Sequence, residues 1–243
     1  MTLAAPVLAS AAAPAVPAGV KNIVVVHGAF VDGSGWRVVH DTLHLKGYNV
    51  TIVQEPLTTL DADVTATRNV IDAQDGPVIL VADGYGGAVI SAAGAQSKVK
   101  ALVYVAAFQP EVGESVTQLQ SSVPEPTNDV HPTPDGHLVF DPSRFGADFA
   151  GDLISNRTNF MAMSQVPATT AAFSAAASVA AWHDKPSYAV VAADDRALSP
   201  DLQRWMSKRA GSKVTEVKAS HAVYISQPEA VAKVIEDAAL GSR

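Results

Sequence analysis

Four short stretches of the chain carry side chains and backbone that could move a proton or hold a developing charge: "VVHGAF" (25–30), "ADGYGG" (82–87), "VVAADDRALSP" (190–200) and "VKASHAVYISQP" (217–228). In the second, a buried apolar run ends in a glycine-rich turn before a helical pattern. A tight strand–turn–helix junction needs small residues two before and two after its apex, because the backbone there is crowded. Ala82 and Gly86 supply them, which puts the apex at Gly84. An apex at Asp83 would place Val81 and Tyr85 at the crowded positions. Asp83 therefore flanks the apex, a carboxylate whose side chain is expected to diverge from the pocket; were it to reach the site, it would raise the basicity of His221 or hold water. Backbone N–H groups of the His27-Gly28 turn would face this apex. We take Ala29 and Tyr85 as the donors of an oxyanion hole. His27 itself reads as a structural histidine bonded to loop backbone. Asp195, rather than its neighbour Asp194, is the candidate orienting acid, and His221 the candidate base. Taken singly, an aspartate before a helix or a histidine after a strand is as readily structural. The weight lies in the set.

These residues need a scaffold that brings strand ends together. Apolar, β-branched runs at 23–26, 50–53, 78–81, 101–105, 189–192 and 214–217 read as strands. Helical patterns at 36–46, 62–73, 86–95, 200–210 and 228–239 alternate with them. Strands apolar throughout imply a parallel sheet covered on both faces, so the expected class is α/β, a doubly wound, mostly parallel sheet. All four stretches then fall at strand carboxyl ends, where open α/β sheets build their sites. The rhythm breaks between about 109 and 185, a stretch of prolines, polar turns and an alanine-rich patch. It reads as an inserted helical cap over the site, with Phe30, Phe160, Met161 and Met163 as candidate substrate-binding walls. Residues 1–20 are Ala/Pro-rich and uncharged. They fit either an export leader lacking its basic segment or a disordered extension, leaving 21–243 as one domain.

Composition narrows the partners. A formal net charge of −7 without a Lys/Arg cluster argues against a nucleic-acid surface, and no later apolar run is long enough to span a bilayer. The absence of cysteine removes disulfides and thiolate nucleophiles. No nucleotide-binding glycine pattern or metal-ligand spacing is present, so no cofactor or metal is expected, and the expected partner is a small-molecule substrate.

The order of the pieces, elbow, then acid, then histidine, resembles the α/β-hydrolase superfamily over nearly all of residues 20–240. The segments "VVHGAFVDGSGW", "KVKALVYVAAF", "DDRALSPDLQRWM" and "SHAVYISQPEAV" resemble small bacterial esterase-like members related to plant hydroxynitrile lyases and methyl-ester hydrolases. The resemblance implies that fold, with Asp195 and His221 as acid and base and Ala29 and Tyr85 as oxyanion donors. In that family the elbow usually reads Gly-His-Ser-Tyr-Gly-Gly. Here it reads Ala82-Asp83-Gly84-Tyr85-Gly86-Gly87, so the serine nucleophile has no counterpart. The expected function is therefore hydrolase-like or lyase-like acid–base catalysis by His221 and Asp195 on a small ester or carbonyl compound. The alternatives are a serine esterase inactivated naturally or by engineering, and a small-molecule binding protein on the same scaffold.

Overall fold

The alternating apolar runs form a six-stranded sheet in the computed structural model, which describes residues 17–124 and 126–242. Its strands are β1 (Asn22–Val26), β2 (Asn49–Val53), β3 (Val78–Gly84), β4 (Val99–Ala107), β8 (Ser187–Ala192) and β9 (Lys213–Val217), in the order β2-β1-β3-β4-β8-β9. Every pairing is parallel. β1, β3 and β8 are buried along their whole length, as continuous apolar runs require. Each expected strand is present, with ends shifted by up to three residues.

The crossovers are α1 (Arg37–Leu45), α2 (Leu60–Asp72) and α3 (Gly86–Ala93), with α8 (Pro200–Arg209), α9 (Val223–Ser226) and α10 (Pro228–Gly241) in the C-terminal half. The chain runs from β1 outward to β2 and then back across β1 to β3. With right-handed crossovers, this reversal puts α1 and α2 on opposite faces. Accordingly α1 packs on α10 and α2 on α3. Pro200 and Pro228 open their helices, where a missing N–H costs nothing. No helix among the described residues is long and apolar enough to cross a membrane.

Between β4 and β8 the chain leaves the sheet. The excursion holds the expected short helices, α4 (Val116–Gln120), α5 (Pro142–Arg144), α6 (Ser155–Met163) and α7 (Thr170–Ser174), and a π-helical turn at Phe145–Phe149. It also holds a small antiparallel sheet, β5 (Val130–Pro132), β6 (His137–Phe140) and β7 (Ala168–Thr169), which the sequence did not suggest. Strands of two to four residues are too short to show an alternating pattern, and the prolines around them read as turns. Of the leader-like segment, residues 1–16 lie outside the described residues.

Candidate active site

β3 ends at Gly84 in the left-handed region (φ +49°), and α3 begins two residues later. The close approach expected around this apex is real. A Cβ on Gly86 would lie 3.2 Å from the Ala82 side chain and 2.8 Å from the His27 carbonyl oxygen. The turn thus presses α3 against the ends of β1 and β3, and leaves residue 84 pointing at the loop after β9.

That loop presents His221. A Cβ built on Gly84 would sit 3.2 Å from its Nε2. The other ring nitrogen, Nδ1, is 2.7 Å from Asp195 Oδ2. Because a carboxylate can only accept, Nδ1 carries the proton and the Nε2 lone pair faces Gly84. Asp195 is fully engaged: Oδ1 accepts from the N–H groups of Ala197 and Leu198, each at 2.8 Å, and Oδ2 also accepts from Gln203 Nε2 at 2.8 Å. Asp194 is exposed, so of the two aspartates Asp195 is the one that meets the imidazole. Burial opposes protonation of His221, but the Asp195 carboxylate and, behind it, Asp83 outweigh it, so its pKa is held above the usual 6.5.

Asp83 is buried behind the apex. Its Oδ1 accepts a hydrogen bond of 2.7 Å from Trp36 Nε1, and Trp36 stacks on Tyr224. Asp83 does not line the space in front of Nε2, so it reaches His221 through its charge alone. Burial raises its own pKa, against the Trp36 bond and the nearby histidines. His27 takes no part in the site. Its Nε2 accepts from the Glu55 N–H at 3.1 Å and its Nδ1 donates to the Gly28 carbonyl at 2.8 Å. Both ring nitrogens are occupied, which is the structural role the sequence suggested.

A cavity opens before Gly84 and His221. Ala29 and Tyr85, the two expected oxyanion donors, both line it. The Phe30 N–H is taken by the Val166 carbonyl at 3.1 Å and is not free to serve as a donor there. The rings of Phe30, Tyr85, Phe108, Phe140, Phe149 and Phe173 form most of the wall, with Gln120 a polar exception. The cavity volume is about 30 Å³, against roughly 10–15 Å³ needed per water. As it stands the space holds two or three waters, or one small, largely uncharged group in their place.

Phe30 is thus a wall residue, as expected. Phe160, Met161 and Met163 are not, and that expectation is corrected. On α6 the buried positions are Thr158 and Ala162, four apart on one face. The larger apolar side chains fall off that face: Phe160 is 71% and Met163 81% exposed, and Met161 lines a different groove. The cap reaches the site instead through Phe149, whose ring meets the His221 ring edge-on at 4.8 Å, and Phe173, stacked on Tyr85.

Several supporting residues were not evident beforehand. Gln203 braces Asp195 and also accepts from the Ala192 N–H at 3.0 Å; a glutamine on the buried side of an amphipathic helix, eight residues after the acid, was the available signal. Asp152, in the cap, accepts from the Ser220 N–H at 3.0 Å and fixes the residue before His221. Asp148, also in the cap, pairs with Arg196 beside the catalytic-acid candidate and with Arg144. Under Tyr85 lies a buried acidic cluster. The Tyr85 hydroxyl donates to Asp63 Oδ2 at 2.7 Å, and Glu55 is buried with neither carboxyl oxygen bonded among the described residues. Burial, then the charges of Asp63 and Asp83, push the Glu55 pKa well above 4.5.

With this geometry in place, comparison with known proteins decides the lineage. Residues 23–234 match the model of the alpha/beta hydrolase family. The chain belongs to that family. It is a hydrolase-like enzyme of the α/β-hydrolase fold, with its mostly parallel central sheet flanked by helices. Alpha/beta hydrolase nvfD of Aspergillus novofumigatus (strain IBT 16806) is 27% identical over 249 residues, covering 89% of this chain and 96% of that protein. A carbendazim hydrolyzing esterase of Nocardioides sp. (strain SG-4G) is 33% identical over 120 residues, 40% of this chain and 46% of that one. Among solved structures, a pyrethroid hydrolase from Sphingobium faniae JZ-2 superposes with a TM-score of 0.76 at 24% identity, covering 90% of this hydrolase and 97% of that chain. Polyneuridine aldehyde esterase gives 0.76 at 18% identity, covering 90% and 98%. At these identities the structural likeness speaks for the fold.

Proposed function

We propose that this hydrolase acts on a small ester or carbonyl compound by proton transfer at His221, without a covalent intermediate on residue 84. The observation that carries the reading is the placement of His221 Nε2, with its lone pair free, 3.2 Å from the point where a side chain on Gly84 would begin. Glycine offers no nucleophile there. In ester hydrolysis His221 would take a proton from water as the water oxygen attacks the carbonyl carbon. The carbonyl oxygen, gaining charge, would be met by the Ala29 and Tyr85 N–H groups. His221 would then return the proton to the departing alkoxide. In a lyase reaction the same nitrogen would take a proton from the substrate itself, and the electron pair would expel the leaving group. A positioned base contributes about 10²–10⁴-fold and an oxyanion donor about 10²–10³-fold, so useful rates are within reach without serine.

Ester chemistry is supported by the esterase relative that shares 33% identity over 120 residues. The aromatic wall supports a small apolar substrate. The test is a panel of small esters and of hydroxynitriles or other carbonyl adducts, assayed with the native chain and with His221→Ala. Turnover by the native chain that falls at least a hundredfold in the variant supports the reading. Undiminished turnover in the variant would refute it, and ligand binding with no turnover on any panel member would favour a binding protein.

A further inference from the structure

A second and larger groove lies on the outer side of Phe30. It runs between the 3₁₀ turn Gly33–Trp36 and α6, and offers about 140 Å³ to the centres of water-sized spheres. Its floor is Tyr224, whose hydroxyl is buried, lies against Gly35 and has no hydrogen-bond partner among the described residues. A buried hydroxyl without a partner is destabilising, and a ligand acceptor that reached it from the groove would recover that cost. At the rim stands Arg157. Arg157 is exposed and, like Arg68, pairs with no carboxylate among the described residues, whereas Arg144, Arg196, Arg204 and Arg209 each pair with one. Asp32 also lines the groove, but its Oδ1 is held by the Ser34 N–H and hydroxyl as the cap of the turn. Phe160 and Met161, the α6 side chains that do not reach His221, supply the apolar wall.

We propose that this groove binds an amphipathic carboxylate, its acid group on Arg157 and its apolar body against Phe160, Met161 and Phe30, at a site separate from the His221 cavity. Guanidinium and carboxylate match in planar, two-pronged geometry, which a point cation cannot reproduce. The apolar body keeps the ligand from being a bare anion. The Asp32 carboxylate, which also lines the groove, would disfavour ligands of higher negative charge.

The test uses 3-phenylpropionate, 3-phenylpropan-1-ol and 3-phenylpropylammonium, titrated into the full chain by calorimetry, with tryptophan emission as a second readout because Trp36 stacks on Tyr224. The carboxylate should bind at least tenfold more tightly than the alcohol, and Arg157→Ala should erase that preference. Arg157 is exposed, so the variant should fold, and its melting temperature checks this. Tyr224→Phe should weaken the carboxylate severalfold without reversing the preference. Ala197→Trp, which narrows the His221 cavity, should leave carboxylate binding within twofold. Equal or tighter binding of the alcohol or the ammonium, a preference that survives Arg157→Ala, an unchanged affinity in Tyr224→Phe, or loss of binding in a folded Ala197→Trp would each overturn the proposal.

Discussion

Returning a side chain to residue 84 is the sharpest perturbation available. In Gly84→Ser the new Cβ would lie 3.2 Å from His221 Nε2 and 3.7 Å from both His221 Cε1 and the Gly28 Cα. The hydroxyl can therefore meet the imidazole after a shift of a few tenths of an ångström. Two costs arise: that shift, and a non-glycine residue at φ +49°, which is worth about 1–3 kcal/mol. For a domain of this size each kcal/mol moves the melting temperature by about 2–4 °C, so a loss of roughly 2–12 °C is expected. The gain is a nucleophile beside the proposed base and the proposed oxyanion donors. Because triad members act as a unit, adding the missing one should raise nitrophenyl-acetate hydrolysis by about 10²-fold or more. Stopped-flow absorbance is the assay. The variant should release a burst of nitrophenol close to one equivalent of enzyme, the native chain none, and Gly84→Ser/His221→Ala none. A folded Gly84→Ser without burst or gain would show that His221 and the oxyanion donors do not converge on residue 84. A burst from the native chain would place a covalent intermediate elsewhere and end the non-covalent reading.

Three further outcomes follow from the same geometry. If His221 is the base, as proposed, the kcat/KM profile should rise with pH through an inflection above 6.5, because its pKa is held up by Asp195 and Asp83; Asp83→Asn should move that inflection down. Gln203→Leu removes a donor from Asp195 and an acceptor from Ala192. It should lower stability by about 1–3 kcal/mol in urea melts and reduce kcat more than it changes KM. Glu55→Gln should stabilise the chain near neutral pH. The carboxyl stays protonated in the fold above 4.5, where the unfolded chain has lost that proton. Folding stability therefore falls by up to about 1.4 kcal/mol per pH unit from 4.5 until the folded group itself ionises. Melts of the two proteins should converge near pH 4 and separate as pH rises; parallel curves would refute the assignment.

Much of this arrangement is legible in the sequence for a specific reason. Parallel strands buried on both faces are written as unbroken apolar runs, so β3 and β8 declare themselves, and residues at their ends are placed by that alone. Gly84 and Asp195 are found this way, and the crowding argument at Ala82 and Gly86 locates the apex between them; His221 follows β9, an exposed strand reading KVTEV, and is found instead by its place after the acid in chain order. The acid was ambiguous by one residue, because Asp194 and Asp195 differ only in which way the turn points them. The cap was not legible in the same way. Its strands are too short for periodicity, so nothing in the sequence said that Phe149 and Phe173 would close the site. The α6 residues were assigned to it on apolarity, and apolarity cannot tell a wall from a solvent-facing edge. Gln203, Asp152 and Asp148 act through contacts made across the fold, and their sequence spacing carries little trace of them.

The saturation of Asp195 bears on what the site can do. Four donors occupy its two oxygens: Ala197 N–H, Leu198 N–H, Gln203 Nε2 and His221 Nδ1. A carboxylate with two oxygens so engaged has little capacity left to bind substrate or water, and its negative charge is spent on the imidazole alone. His27 is closed off in a similar way, with both nitrogens bonded to backbone. Asp83 is turned to Trp36. Tyr85 lines the cavity with its ring, but its hydroxyl is bonded to Asp63, so His221 is the ionisable side chain that presents a free lone pair there. On the proposed reading, chemistry in that cavity is limited to what a single base and the two proposed backbone donors can drive, acting on a group small enough to fit beside six aromatic rings. The substrate must bring its own electrophile and leaving group, and either it or a water must bring the proton that His221 accepts.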